Sequence, residues 1–124
     1  MAMNQSVVSS RFPYLPIHLQ VRINRTTDFE TDLEALLDTG FDGDVVVPAN
    51  FPSNGHVPEA FLRWILADGS QVEAAAYRGT LYIGNIGPIS VVVTALGDES
   101  MIGRKAITRF TVTLDHGQRV IVEP

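Results

Sequence analysis

From Ile17 the chain alternates strictly for eight residues, with Ile17, Leu19, Val21 and Ile23 set against His18, Gln20, Arg22 and Asn24. A period of two puts one side of an extended chain in a core and the other in water, so this stretch reads as a half-buried β-strand. The same reading repeats in short pieces bounded by turn residues. After a polar turn at 25–32, residues 33–37 read as a second strand, apolar enough to be buried on both faces. A triple valine at 45–47 stops at Pro48, and the proline-rich stretch to Pro58 reads as a loop. Strand-like runs at 62–67 and 71–77 flank Asp68-Gly69-Ser70, a hairpin signal. A strand at 80–83, a turn at 84–88 and a valine-rich strand at 89–96 follow, and 111–114 with 120–123 form a closing hairpin. The one helical pattern is short and starts near Gly103. Many short strands at even spacing with one short late helix imply an all-β barrel or sandwich-like fold.

At 124 residues the chain fits a single domain, with residues 1–13 reading as a loose arm whose end is kept extended by Pro13 and Pro16. The net charge of −5 and the lack of any window dominated by Lys and Arg argue against nucleic acid and anionic membranes as partners. There are no cysteines, which excludes disulfides and thiolate metal sites. The N-terminus lacks a basic segment followed by a continuous apolar one, and apolar runs such as 65–67 and 91–93 are far too short to span a bilayer. The expectation is a soluble, cytoplasmic protein.

The stretch Leu36-Leu37-Asp38-Thr39-Gly40-Phe41-Asp42-Gly43 sets an acid, a hydroxyl and a glycine in the crease between two apolar strands. A surface turn would account for the residue types, since Asp and Gly form turns, but not for the double leucine that leads in. A calcium loop fails on ligands: Gly40 stands at the third position, and Ala49 stands where the closing glutamate belongs. A third reading places Asp38 as a catalytic carboxylate at the end of a buried strand, with Gly40 giving the tight bend. Two carboxylates within hydrogen-bond reach share one proton and act as base and acid together. The chain holds only one such motif, because Asp68-Gly69-Ser70 has the wrong order. A second carboxylate therefore has to come from a second copy, in a two-fold dimer with the site on its axis.

These residues resemble the retropepsins, the dimeric aspartic proteases of retroviral type, and their small bacterial relatives in particular. The resemblance is carried by Leu36-Leu37-Asp38-Thr39-Gly40, by Ile102-Gly103-Arg104 opening the late helix 65 positions after Asp38, and by the hairpin between them. It spans residues 17 to 110 and implies a closed barrel of short strands with a flap hairpin, acting as a homodimeric aspartic endopeptidase on peptide or protein substrates without metal or organic cofactor. It implies that Asp38 is catalytic, that Thr39 locks the dimer beneath it, and that Gly40 meets substrate backbone. Asp42 is then the acid that pairs with Arg104, with Ile102 and Gly103 supporting the site, and a bidentate pair would pin the site loop to the helix. Trp64, Asp68 and Gly69 fall in the flap.

Phe41 departs from the family, which has a small residue or a hydroxyl there. The expectation is a dyad that works nearer neutral pH than that of the pepsins, and a ring that narrows the substrate cleft. The closing hairpin is a second departure and implies a dimer interface built differently. The rival readings are a retropepsin-like dimer that binds peptides without cutting them, and a β-barrel ligand-binding module whose Asp38 is structural. His18, His56 and His116 are scattered with no metal-ligand spacing, and Ser9, Ser10 and Ser100 lack the context of a nucleophile.

Overall fold

The computed structural model describes residues 6–23, 28–51 and 57–124. The elements in chain order are β1 (Val7–Ser9), β2 (Tyr14–Arg22), β3 (Asp28–Asp38), β4 (Val45–Val47), β5 (Ala60–Ile65), β6 (Gln71–Ile83), β7 (Ile86–Ala95), β8 (Met101–Gly103), α1 (Arg104–Ile107), β9 (Thr111–Asp115) and β10 (Arg119–Glu123). Seven strands run in the order β2-β3-β8-β4-β7-β6-β5, and a further pairing of β2 with β6 closes six of them into a barrel. β5 stays outside that closure, paired only with the first half of β6. β6 is long enough to serve twice: Gln71–Ala76 forms a hairpin with β5, while Gly79–Tyr82 pairs with β2 inside the barrel.

The period-two residues of β2 carry the core. Leu15, Ile17, Leu19 and Val21 all point inward and are buried, and they meet Leu81 and Ile83 of β6 and Val91 and Val93 of β7. Each Val or Leu side chain fully withdrawn from water contributes about 1.5–3 kcal/mol relative to leaving it exposed. All three valines of β4 are buried, because this strand lies between β7 and β8 with both faces covered, which explains its unbroken apolar run.

Three expectations need correction. Residues 28–32 are not a turn but the start of β3, which pairs with β2 from Arg22↔Asp28 to Tyr14↔Leu36; 24–27 lie outside the described residues. β3 is not buried on both faces either: only Ala35 is fully buried, since its polar residues face water opposite those of β2. The arm is not loose over its described part. Val7–Ser9 adds to β10 in a separate three-stranded sheet, β1-β10-β9, which sends Val120 and Val122 into the core. His56 and the middle of the proline-rich loop lie outside the described residues. Among the described residues no helix is long and apolar enough to cross a membrane.

Candidate active site

The position of Asp38 follows from one insertion in the sheet. β8 lies between β3 and β4, parallel to the first (Leu37↔Ile102, Asp38↔Gly103) and antiparallel to the second (Val45↔Ile102). The loop that joins β3 to β4 must therefore arch over the end of β8, where Gly103 leads into α1. Three successive backbone N–H groups hold it there: Gly103 donates to the Asp44 carbonyl (2.7 Å), Arg104 to that of Phe41 (2.8 Å) and Lys105 to that of Gly43 (3.1 Å). α1 has no side-chain cap, so the loop carbonyls satisfy N–H groups that the start of a helix leaves open. Gly103 is needed for this approach: a Cβ there would lie 2.3 Å from the Gly43 carbonyl oxygen. Ile102, fully buried between Leu37 and Val45, anchors the strand from below.

Asp38 is half-buried at the end of β3, and its Oδ1 accepts the Gly40 N–H at 2.9 Å. The Phe41 N–H donates to the Asp38 carbonyl at 3.3 Å, which closes the tight bend that the Thr-Gly pair allows. Thr39 and Gly40 are exposed, and the Thr39 hydroxyl makes no hydrogen bond among the described residues. The Arg104 guanidinium donates from Nη2 to Asp42 Oδ1 at 2.6 Å, through one bond rather than the bidentate pair expected. Both side chains are exposed, so the link positions the loop more than it stabilises the fold.

The β5–β6 hairpin lies over this loop. Its tip is set by Gly69, at φ 86°, with the Gly69 N–H donating to the Leu66 carbonyl and the Leu66 N–H to that of Ser70. Asp68 accepts from the N–H and hydroxyl of Ser70, which, hydroxyl first, hold its carboxyl below the usual range. Asp68 and Gly69 are thus exposed turn formers at the tip. Trp64 makes the connection, its ring centroid 4.8 Å from that of Phe41 at a tilt of 45°. The Phe41 ring fills the space above Gly43 and Gly103, where a Cβ would come within 2.7 Å of it. The Trp64 indole N–H is buried there and has no hydrogen-bond partner among the described residues.

Sequence reading missed Asp44. Its side chain is only 6% exposed; Oδ2 accepts the Val92 N–H at 2.8 Å and Oδ1 lies 3.5 Å from Arg109 Nη2. Arg109 in turn donates to the Ser90 carbonyl. β4 pairs with β7 only from Val93 onward, so Ser90 and Val92 face an open edge, which Asp44 and Arg109 close with side chains. Among the described residues no three His, Cys, Asp or Glu side chains come together to hold a metal ion. Compared with protein-family models, with curated proteins and with solved structures, the chain finds no match in any of the three.

Proposed function

We propose that the chain is a homodimeric aspartic endopeptidase of retropepsin-like fold, with Asp38 and its symmetry mate as the paired carboxylates and the β5–β6 hairpin as the flap. The observation that carries this reading is the placement of Asp38: a half-buried carboxylate at the end of a barrel strand, on a loop held by three N–H donors from the Gly103–Lys105 segment and by Arg104. Such bracing would hold a reacting carboxylate in a fixed position. The exposed Thr39 and Gly40 beside it leave a free surface for a second copy related by a two-fold axis.

In this mechanism a water lies between the two carboxylates, which share one proton. The ionised carboxylate takes a proton from the water as its oxygen attacks the peptide carbonyl carbon, while the protonated one donates to the carbonyl oxygen. As the diol collapses, the ionised carboxylate takes a proton from one of its hydroxyls, the C–N bond breaks, and the protonated carboxylate gives its proton to the leaving nitrogen, which returns the pair to one shared proton. An extended peptide would add its backbone to the flap strands.

A second reading, a dimer that binds peptides without cutting them, draws on the Phe41–Trp64 contact, which brings the hairpin down onto the site loop. Light scattering and cleavage of a randomised peptide library by wild type and Asp38→Asn decide between them. A dimer that cuts only with Asp38 present supports the peptidase. A dimer in which both proteins are inert supports the binding role, and a stable monomer rejects both.

A further inference from the structure

The inner face of the β5–β6 hairpin continues past Trp64 into a cleft of about 490 Å³, lined by Leu62, Arg78, Val92, Lys105, Arg109 and Asp44 among others. None of the residues from Asp38 to Gly43 lines it. We propose that this cleft is a charge-selecting subsite that takes the carboxylate side chain, Glu or Asp, of an extended peptide whose reacting bond lies at Asp38; the proposal rests on the peptidase reading.

Position supports it first. Leu62 and Trp64 are two residues apart on the same face of β5, so the cleft wall begins about 7 Å from the ring that covers the site loop. On the opposite side, Asp44 and Lys105 belong to the same loop and helix start that hold Asp38 in place. Asp38 pairs with Gly103, two residues before Lys105. One strand spacing of about 5 Å from Asp38 to Gly103, with two further residues and a lysine side chain beyond it, puts the ammonium within reach of a substrate side chain roughly three to four residues from the bond, at about 3.3 Å per extended residue.

Charge supports it next. The cleft holds three cations, Arg78, Lys105 and Arg109, and two acids, Asp44 and Glu59. Both acids already have cationic partners: Glu59 accepts from Arg78 Nε at 3.0 Å, and Asp44 Oδ1 pairs with Arg109 at 3.5 Å, though without a hydrogen bond among the described residues. The exposed Lys105 ammonium has no hydrogen-bond or ion-pair partner among the described residues. The cleft thus carries a local excess of one positive charge beside apolar wall from Leu62 and Val92, in a chain of net charge −5. A glutamate fits both features, laying its methylenes on Leu62 and Val92 and its carboxylate on Lys105.

The test uses the full chain and pairs of fluorogenic peptides, taken from sequences that the randomised library shows to be cut, that differ by Glu against Gln at each position three or four residues from the cleaved bond. At one of these positions wild type cuts the glutamate peptide about two- to fivefold faster in kcat/KM, and the preference shrinks at high salt. Lys105→Met, which keeps the backbone N–H bonded to Gly43, removes the preference and Lys105→Glu reverses it towards a lysine peptide, each read as the ratio of the charged to the neutral peptide within one variant, so that any change in overall rate cancels. Equal cleavage of every pair by wild type, or a preference untouched by both variants, overturns the subsite. If no peptide is cut, the peptidase reading falls, and fluorescence polarisation with labelled Glu- and Gln-peptides then decides the cleft alone: tighter, Lys105-dependent binding of the acidic peptide supports it, and equal binding overturns it.

Discussion

Phe41 and Trp64 meet ring to ring at 4.8 Å, one from the loop that carries Asp38 and the other from the hairpin above it. Phe41 thus ties the site loop to the hairpin, and on the proposed reading this contact opens when substrate enters. Trp64 is the only tryptophan in the chain, so its fluorescence reports this contact directly. Phe41→Ala is expected to shift the emission to longer wavelength and to cost about 0.5–1.5 kcal/mol of stability from the lost ring pair, plus the cavity. Unchanged emission would mean that the two rings do not hold each other in solution.

Asp44 and Arg109 close the edge of β7 where β4 has not yet begun. Asp44→Ala leaves the Val92 N–H without an acceptor and Arg109 without its acid, for an expected loss of about 2–3 kcal/mol and a fall in Tm of roughly 5–10 °C. Asp44→Asn keeps an acceptor for Val92 and is expected to lose about half as much. Thermal unfolding followed by circular dichroism checks both; an Ala variant as stable as wild type would remove this edge-closing role.

Arg104 and Asp42 are both exposed, so their ion pair adds at most about 1 kcal/mol to stability. Its effect is expected in the position of the Asp38 loop instead. Arg104→Ala should leave Tm nearly unchanged while lowering kcat/KM by about tenfold or more, because small displacements of a reacting group are costly. Parallel small losses in both would show that the pair does not position the loop.

How far these features were legible in the sequence depends on their range. The β2 strand and the Asp68-Gly69 tip are local patterns and stand where period and turn chemistry put them. Asp42 and Arg104, 62 residues apart, came within reach only through a family resemblance. Asp44 carried no signal, since its partners Val92 and Arg109 lie 48 and 65 residues on and an acid after Asp42-Gly43 reads as part of a solvated turn. The insertion of β8 between β3 and β4 was equally hidden, because a three-residue parallel pairing leaves no periodicity. The same brevity hid β1, and β3 ran longer than expected because its polar first half pairs with the polar face of β2.

On that outer face His18 Nδ1 lies 2.8 Å from Asp32 and Nε2 lies 3.6 Å from Glu30, with the Tyr82 ring 5.9 Å away. The hydrogen bond to Asp32, against some desolvation and with help from Glu30, raises the imidazole above its ordinary value of 6.5. A raised value favours the protonated folded state, so the contribution is full below that ordinary value and is lost as pH rises through the folded-state one. The Tm difference between wild type and His18→Gln should be largest near pH 5.5 and should shrink by about pH 8.5. A difference that grows with pH would contradict the assignment.

The central claim, one active centre shared by two chains, is tested most directly by subunit mixing. Wild type and Asp38→Asn are unfolded together in equal amounts, refolded, and assayed on a cleaved library peptide at fixed total protein. If each centre needs Asp38 from both chains, random pairing leaves about one quarter of the activity of wild type alone. Activity of about one half, or wild-type protein that cuts no peptide at all, would contradict the account.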